Sequence, residues 1–146
     1  MQRIIDGERW LIDERGGDRV HPTLIFLHYF AGSSRSGSEV IDRLWSRRRC
    51  IAPDLPGFGD TDPGRSRFTI DEQADAIARL IATCAIDRHV LVGHSMGGKI
   101  AMTLAARRPP GLVGLVLLAP SPSSPEPMDE DERAAALGAH GDRAAA

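Results

Sequence analysis

Four short apolar runs constrain the fold of this chain more than any other feature of its sequence. The runs are TLIFLH at 23–28, CIAPDL at 50–55, HVLVG at 89–93 and GLVGLVLLAP at 111–120. Short, partly β-branched apolar runs are typical of strands that are buried on both faces, as in a parallel sheet. We therefore expect these runs to form four buried strands.

Segments with helical periodicity separate the four runs. Residues 38–48 and 69–86 each predict a helix. The inward-facing side chains are Val40, Ile41, Leu44 and Trp45 in the first helix. In the second helix they are Ile77, Leu80, Ile81 and Cys84. A third helix is expected at 96–108, before Pro109. Residues 3–13 predict a β-hairpin around an Asp-Gly turn. Because strands and helices alternate, the sequence predicts an α/β fold with a mostly parallel sheet and helices on both faces.

Composition narrows the classes of function. The 146 residues are 42% apolar and 26% charged, which is ordinary for a globular domain. A net charge of −2 favours neither nucleic acid nor an anionic membrane as a partner, and the arginines of RLWSRRRC at 43–50 suit a helix C-terminus. The two cysteines form no CxxC pair, and no apolar run approaches the roughly 20 residues of a membrane span. We therefore expect a cytoplasmic protein with no metal and no other cofactor.

The composition changes after residue 120. Residues 1–120 contain all the predicted strands and three helices, and we expect them to form one α/β core. Residues 121–146 are rich in proline, charge and alanine and contain no strand pattern. They predict a linker that leads into an Ala-rich helix.

The junction GHSMGG at 93–98 holds the candidate site. Its first five residues fit the pattern G-x-S-x-G, in which a serine lies on a sharp turn between a buried strand and a helix. Small residues at Gly93 and Gly97 let the strand and the helix approach each other closely. The helix N-terminus behind Ser95 offers N–H groups, chiefly that of Met96, that would stabilise an oxyanion formed by attack of the serine. A serine that only caps the helix is the simpler alternative.

Three motifs together resemble those of the alpha/beta hydrolase family. GHSMGG is similar to the nucleophile turn of the family, LHYFAGS at 27–33 resembles its oxyanion loop, and APDLPGFGDTD at 52–62 resembles the loop after its fourth strand. The resemblance implies an α/β-hydrolase fold with Ser95 as the nucleophile. It also implies that the backbone N–H groups of Phe30 and Met96 form the oxyanion hole, and that Gly93 and Gly97 shape the turn.

The resemblance gives structural roles to neighbouring residues. His28 matches a loop histidine that is not a base, and Asp54, with Gly57 and Gly59, matches a loop that borders the active site. Tyr29 stands where the family usually has glycine. This departure requires ordinary backbone angles at Tyr29, because a bulky residue does not readily adopt positive φ.

The resemblance places the catalytic acid and histidine after strands that this sequence does not show. We count strands only to the sixth, so the resemblance implies a fold truncated there, with 121–146 as the start of a cap-like segment. Ser95, Asp131 and His140 follow the order of the family, but the last two lie in an Ala-rich tail without rigid support. We therefore expect the chain to be inactive by itself.

Two functions follow as expectations. The first is a serine-nucleophile hydrolase of small carboxylic esters, or of related acyl or C–C bonds, in a longer parent protein. The second is a non-catalytic fragment or binding module that keeps the fold without turnover.

Two further expectations concern the surface of the protein. Residues 112–118 would form a long apolar edge strand, through which the protein would associate with itself. His21 and His89 precede strands and are expected at the surface, whereas the tryptophans Trp10 and Trp45 are expected to pack inside.

Overall fold

A computed structural model describes residues 1–17, 20–64, 68–124, 129–131 and 134. The strands are β1 (Gln2–Ile5), β2 (Glu8–Arg15), β3 (Thr23–Leu27), β4 (Cys50–Pro53), β5 (His89–His94) and β6 (Leu112–Leu118). The helices are α1 (Ser38–Leu44), preceded by a 3₁₀ turn at Ser34–Gly37, then α2 (Ile70–Thr83) and α3 (Met96–Ala106). The predicted hairpin and all four predicted core strands are present.

The strands form one sheet in the order β1-β2-β4-β3-β5-β6. The hairpin strands are antiparallel to each other, and β2 is antiparallel to β4. The four apolar runs pair in parallel, with β3 between β4 and β5 and with β6 beside β5. The prediction of a mostly parallel sheet is confirmed.

Helices cover both faces of the sheet. Successive strand residues point to opposite sides, so a strand contributes side chains to a core on each face. In β3, Ile25 faces the larger core, which is built with α2 and α3. Its neighbour Phe26 faces a smaller core built with Ile41 of α1. The α/β fold class predicted from the sequence is thereby confirmed.

The predicted face of α1 is only partly correct. Ile41 is fully buried, but Val40 is 49% exposed and Trp45 is 48% exposed. The helix ends at Leu44, four residues before the predicted end, so Trp45 follows its last turn. The expectation that Trp45 packs inside is therefore wrong, whereas Trp10 is fully buried.

Strand β6 lies at the edge of the sheet and has no fully buried residue. Its side chains Val113, Leu115, Val116 and Leu118 are between 38% and 50% exposed. The sequence predicted a strand covered on both sides. The difference arises because, in the part of the chain that the structure describes, nothing pairs with the outer edge of β6.

Self-association through β6 stays a prediction, and we expect the apparent mass of the protein to rise with concentration. A charged side chain on an edge strand opposes strand pairing. We expect Val116→Lys to reduce this association in sedimentation velocity. The matched control is Val40→Lys, which places the same charge at an equally exposed position on a helix. Equal association of both variants would contradict the role of the β6 edge.

The structure also bears on membrane insertion. Over the described ranges, no helix is both long enough and apolar enough to cross a bilayer.

Candidate active site

Ser95 lies on the tight turn between β5 and α3, with φ 52° and ψ −116°. Such a backbone is rare for any residue other than glycine. It costs on the order of 1–3 kcal/mol, so it persists only where neighbouring contacts enforce it. Here the Ser95 N–H donates to the Leu118 carbonyl at 3.0 Å, and the Ser95 carbonyl accepts from Gly98 and Lys99 at 2.9 and 3.1 Å. The turn is therefore held by hydrogen bonds to β6 on one side and to α3 on the other.

The glycines beside Ser95 are required by close backbone contacts. A Cβ atom at Gly93 would overlap the carbonyl oxygen of Gly97, and a Cβ at Gly97 would overlap the carbonyl oxygen of Leu27. The latter Cβ would also lie 2.7 Å from the carbonyl oxygen of His28. The contact at Gly93 is the close approach of β5 and α3 that the motif predicts, and the contact at Gly97 places the first turn of α3 directly against the end of β3.

This contact brings together the two segments that carry the predicted oxyanion donors. Met96 begins α3 beside Gly97, and the first N–H groups of a helix have no intrahelical acceptor. Phe30 follows His28 by two residues, and its ring packs edge-to-face on that of Phe58. The neighbouring Tyr29 ring packs edge-to-face on His94, with the ring centroids 5.1 Å apart. The predicted roles of the two N–H groups remain predictions.

The backbone of the loop after β3 has its positive φ at Ala31 and not at Tyr29. Tyr29 is absent from the residues with positive φ, whereas Ala31 has φ 59°. A turn hydrogen bond from the Gly32 N–H to the Tyr29 carbonyl, 2.9 Å long, closes this loop. The ordinary backbone angles expected for Tyr29 are confirmed.

His28 holds the loop together and has no nitrogen left for catalysis. The Leu55 N–H donates to its Nε2 at 3.0 Å, so Nδ1 carries the proton and donates to the Tyr29 carbonyl at 2.7 Å. Burial lowers the pKa of His28, although the hydrogen bond to Tyr29 and the charge of Asp54 partly oppose this shift. The structural role expected for His28 agrees with this geometry.

His89 corrects another expectation. It is fully buried at the start of β5, paired in register between Thr23 and Leu112, and is therefore not a surface residue. Neither ring nitrogen has a hydrogen-bond partner among the described residues, and burial lowers its pKa. By contrast, His21 is exposed as expected.

We expect the free energy of unfolding to fall as the pH drops below about 6.5, the ordinary pKa of histidine. Below that pH the unfolded chain binds protons that the buried, neutral His28 and His89 do not, so acid favours unfolding. Urea titrations from pH 8 to pH 5 measure this slope. His89→Phe should flatten this slope, because it removes one of the two buried imidazoles. A slope unaffected by His89→Phe would contradict this account.

The contacts of Asp54 also indicate a structural role. It is 1% exposed, and its two carboxylate oxygens accept the backbone N–H groups of Ser34 and Asp60. A Cβ at Gly59 would overlap the Asp54 carboxylate, which explains the glycine at this position of the motif. These bonds join the loop after β4 to the loop after β3.

The side chain found within hydrogen-bonding distance of the Ser95 hydroxyl is that of Ser121, with the two Oγ atoms 3.5 Å apart. No sequence motif marks Ser121, so its position beside Ser95 was not predicted. His140 lies outside the described residues, as does most of the predicted cap-like segment, so the structure does not test the order Ser95, Asp131, His140, which the sequence disfavoured. Among the residues described, no group of three or more His, Cys, Asp or Glu could hold a metal ion.

Comparison with known proteins identifies the family. A sequence model described as the alpha/beta hydrolase fold matches residues 22–143. The chain belongs to the alpha/beta hydrolase fold family. Among curated relatives of this hydrolase-fold chain, 2-succinyl-6-hydroxy-2,4-cyclohexadiene-1-carboxylate synthase of Enterobacter sp. (strain 638) is 37% identical over 70% of the chain. The magnesium-chelatase 30 kDa subunit of Rhodobacter capsulatus is 36% identical over 73% of it.

This hydrolase-fold chain superposes with a TM-score of 0.79 on the solved structure of a membrane phospholipase A, which is described as a bacterial virulence factor. The two are 29% identical, and the match covers 94% of this chain. The chain spans 39% of the synthase and 37% of the chelatase subunit. It spans 44% of the phospholipase chain. The chain therefore spans less than half the length of each of these three proteins.

A cavity of about 580 Å³ opens beside the loop after β3 of this hydrolase-fold chain. Its lining includes Tyr29, Ser33, Arg35, Asp54 and Asp60. Tyr29 lines this cavity, and its ring also packs on His94, the residue before Ser95. The loop after β3 therefore contributes both to a polar cavity and to the surroundings of the Ser95 turn.

Proposed function

We propose that this chain carries the nucleophile part of a serine-dependent hydrolase that acts on small carboxylic esters or related acyl or C–C bonds. The observation that carries the proposal is the backbone of Ser95, with φ 52° on a strand–helix turn. A strained non-glycine residue that its surroundings enforce is typical of a functional site. A helix-capping serine would not need this backbone, because N-caps ordinarily adopt extended angles.

The proposed roles follow from the geometry of the turn. The Ser95 hydroxyl attacks the carbonyl carbon of the substrate and forms a tetrahedral intermediate, while a histidine base of the kind that the resemblance implies takes the hydroxyl proton and then gives it to the leaving group. The N–H groups of Met96 and Phe30 donate to the resulting oxyanion, since they lie on the two segments that meet at Gly97. Loss of the leaving group gives an acyl-enzyme on Ser95, which water then hydrolyses.

The specific substrate is left open by the relatives. Their names include a synthase, a chelatase subunit and a phospholipase, which share no substrate class. We therefore propose only the bond type, together with a location in the cytoplasm.

A non-catalytic binding module is the second candidate, and one observation favours it. A serine hydroxyl needs a base, yet the described side chain that hydrogen-bonds to Ser95 Oγ belongs to another serine. Both nitrogens of His28 are already engaged in the loop. The chain itself would then bind ligands at the Ser95 turn without turning them over.

Labelling with a fluorophosphonate probe distinguishes the two candidates. The purified chain is incubated with the probe, with and without added imidazole, which can replace a missing histidine base. Mass spectrometry then measures modification at position 95. Ser95→Ala is the negative control, and Ser123→Ala is the matched control, because Ser123 is an exposed serine outside the turn. Circular dichroism verifies that all the proteins are folded.

We expect labelling at Ser95 that increases with imidazole and is absent in Ser95→Ala. Labelling without imidazole would indicate a base within the chain, and His140→Ala would test it. Absence of labelling in the folded protein under both conditions would contradict the hydrolase proposal and favour the binding module.

A further inference from the structure

The segment after β6 folds back over the Ser95 turn and has no role so far. The Ser121 N–H donates to the Ser95 carbonyl at 3.0 Å, and its hydroxyl lies 3.5 Å from the Ser95 hydroxyl. Both contacts join residues that are 26 positions apart in the sequence. Ser121 thus touches the candidate nucleophile with its backbone and with its side chain.

The position of Ser121 is enforced by its neighbours. On one side, Pro120 packs so closely on α3 that a Cβ at Gly98 would lie 2.7 Å from the Pro120 Cβ. On the other side, the Lys99 ammonium donates to the Ser124 carbonyl at 2.9 Å. The segment from Pro120 to Ser124 is therefore attached to α3 before and after Ser121. Ser121 is only partly exposed, and its hydroxyl faces the Ser95 oxygen.

The Ser121 hydroxyl can donate a hydrogen bond to the Ser95 oxygen without competing with a base for the Ser95 proton. A nucleophilic serine gives its own proton to a base, so its oxygen can accept a hydrogen bond from a second donor. At 3.5 Å this hydrogen bond is at its outer limit, but bonds to an ionised oxygen shorten to about 2.5–2.7 Å. Contacts in a catalytic site often tighten in this way when charge develops.

We infer that Ser121 is a positioning residue for the nucleophile: its hydroxyl donates a hydrogen bond to the Ser95 oxygen and stabilises negative charge there. This inference rests on the proposed function of Ser95. It adds a donor from the segment after β6 to the N–H groups at the start of α3. Because this donor acts on the nucleophile oxygen rather than on the substrate oxyanion, it is distinct from the proposed oxyanion hole.

The test measures ionisation at position 95 directly and does not need a base. Ser95→Cys places a thiol there, and its pKa is measured from the pH dependence of iodoacetamide alkylation. Mass spectrometry reads the peptide that carries this new thiol separately from those of Cys50 and Cys84, which are buried and whose pKa burial raises. The same titration is repeated with Ser121→Ala, Ser121→Thr or the control Ser123→Ala in the Ser95→Cys background.

We expect Ser121→Ala to raise the thiol pKa by about one unit, the value of a hydrogen bond to a charged group. Ser121→Thr should restore the lower pKa, since it keeps the hydroxyl, and Ser123→Ala should leave it unchanged. An unchanged pKa in folded Ser121→Ala would overturn the inference. Failure of fluorophosphonate labelling would refute the proposed function alone, because the thiol titration does not depend on it.

Discussion

Gly97→Ala is expected to destabilise the protein by about 3 kcal/mol or more, because the added methyl group overlaps backbone atoms. The Cβ would overlap the Leu27 carbonyl oxygen and lie 2.7 Å from that of His28. Neither oxygen can rotate away as a side chain could, since Leu27 is the last residue of β3. Alanine favours a helix by about 1 kcal/mol over glycine, so the overlap outweighs the gain in propensity.

Urea unfolding at pH 8 measures this effect. Gly37→Ala is the matched control, because a Cβ at Gly37 would meet only side-chain atoms of Phe26 and Ile41, at 3.5 Å or more. We expect Gly37→Ala to remain close to the wild-type stability. If Gly97→Ala is as stable as Gly37→Ala, then α3 does not lie against β3 as described.

The same substitution also tests the site. To relieve the overlap, α3 must move away from β3, and this separates Met96 from the loop that carries Phe30. Fluorophosphonate labelling of any folded Gly97→Ala protein should therefore fall together with stability. Unchanged labelling in a folded but destabilised Gly97→Ala protein would show that the contact between α3 and β3 supports the fold and not the site.

Local patterns in the sequence predicted much of this architecture. The short apolar runs become parallel strands because such runs can be buried only inside a sheet with helices on both faces. The Ser95 turn was predictable for a similar reason, since a serine between two glycines at a strand–helix junction is a local signal. Each of these features is encoded within about ten consecutive residues, the scale of a typical strand or hairpin signal.

Features that depend on distant neighbours could not be predicted. His89 is buried because β5 lies between β3 and β6, which are separated from it in the sequence. Trp45 is exposed because α1 ends earlier than its periodicity indicates. Ser121 reaches Ser95 only because the chain folds back after β6. No pattern around any of these residues encodes the partner that determines its environment.

A buried ion-pair cluster joins the hairpin to the parallel strands. Glu14 of β2 accepts from Arg49 at 2.7 and 2.9 Å and from Arg3 at 2.5 Å. The Arg49 side chain is 7% exposed and that of Glu14 is 12% exposed. Burial by itself would raise the pKa of Glu14, but the hydrogen bonds and charges of Arg49 and then Arg3 outweigh it and lower that pKa.

Glu14→Ala is expected to cost about 3–5 kcal/mol, because it leaves the Arg49 guanidinium buried without a counter-charge. Glu14→Gln keeps the shape and part of the hydrogen bonding, so its cost should be smaller. Urea unfolding at pH 7 measures both variants. Asp42→Ala is the control, since Asp42 pairs with Arg15 at an exposed position and its loss should change little.

The pH dependence separates the charge of Glu14 from its packing. Because the folded pKa of Glu14 lies below its ordinary value, the wild type should lose the stability that this carboxylate contributes as the pH falls below about 4.3. Glu14→Gln has no carboxylate to protonate, so the free-energy difference between the two proteins should shrink through this acid range. A difference that stays constant from pH 7 to pH 3 would show that Glu14 stabilises the sheet by packing alone. A difference that shrinks would show that charge pairing with Arg49 and Arg3 attaches the hairpin to the parallel strands.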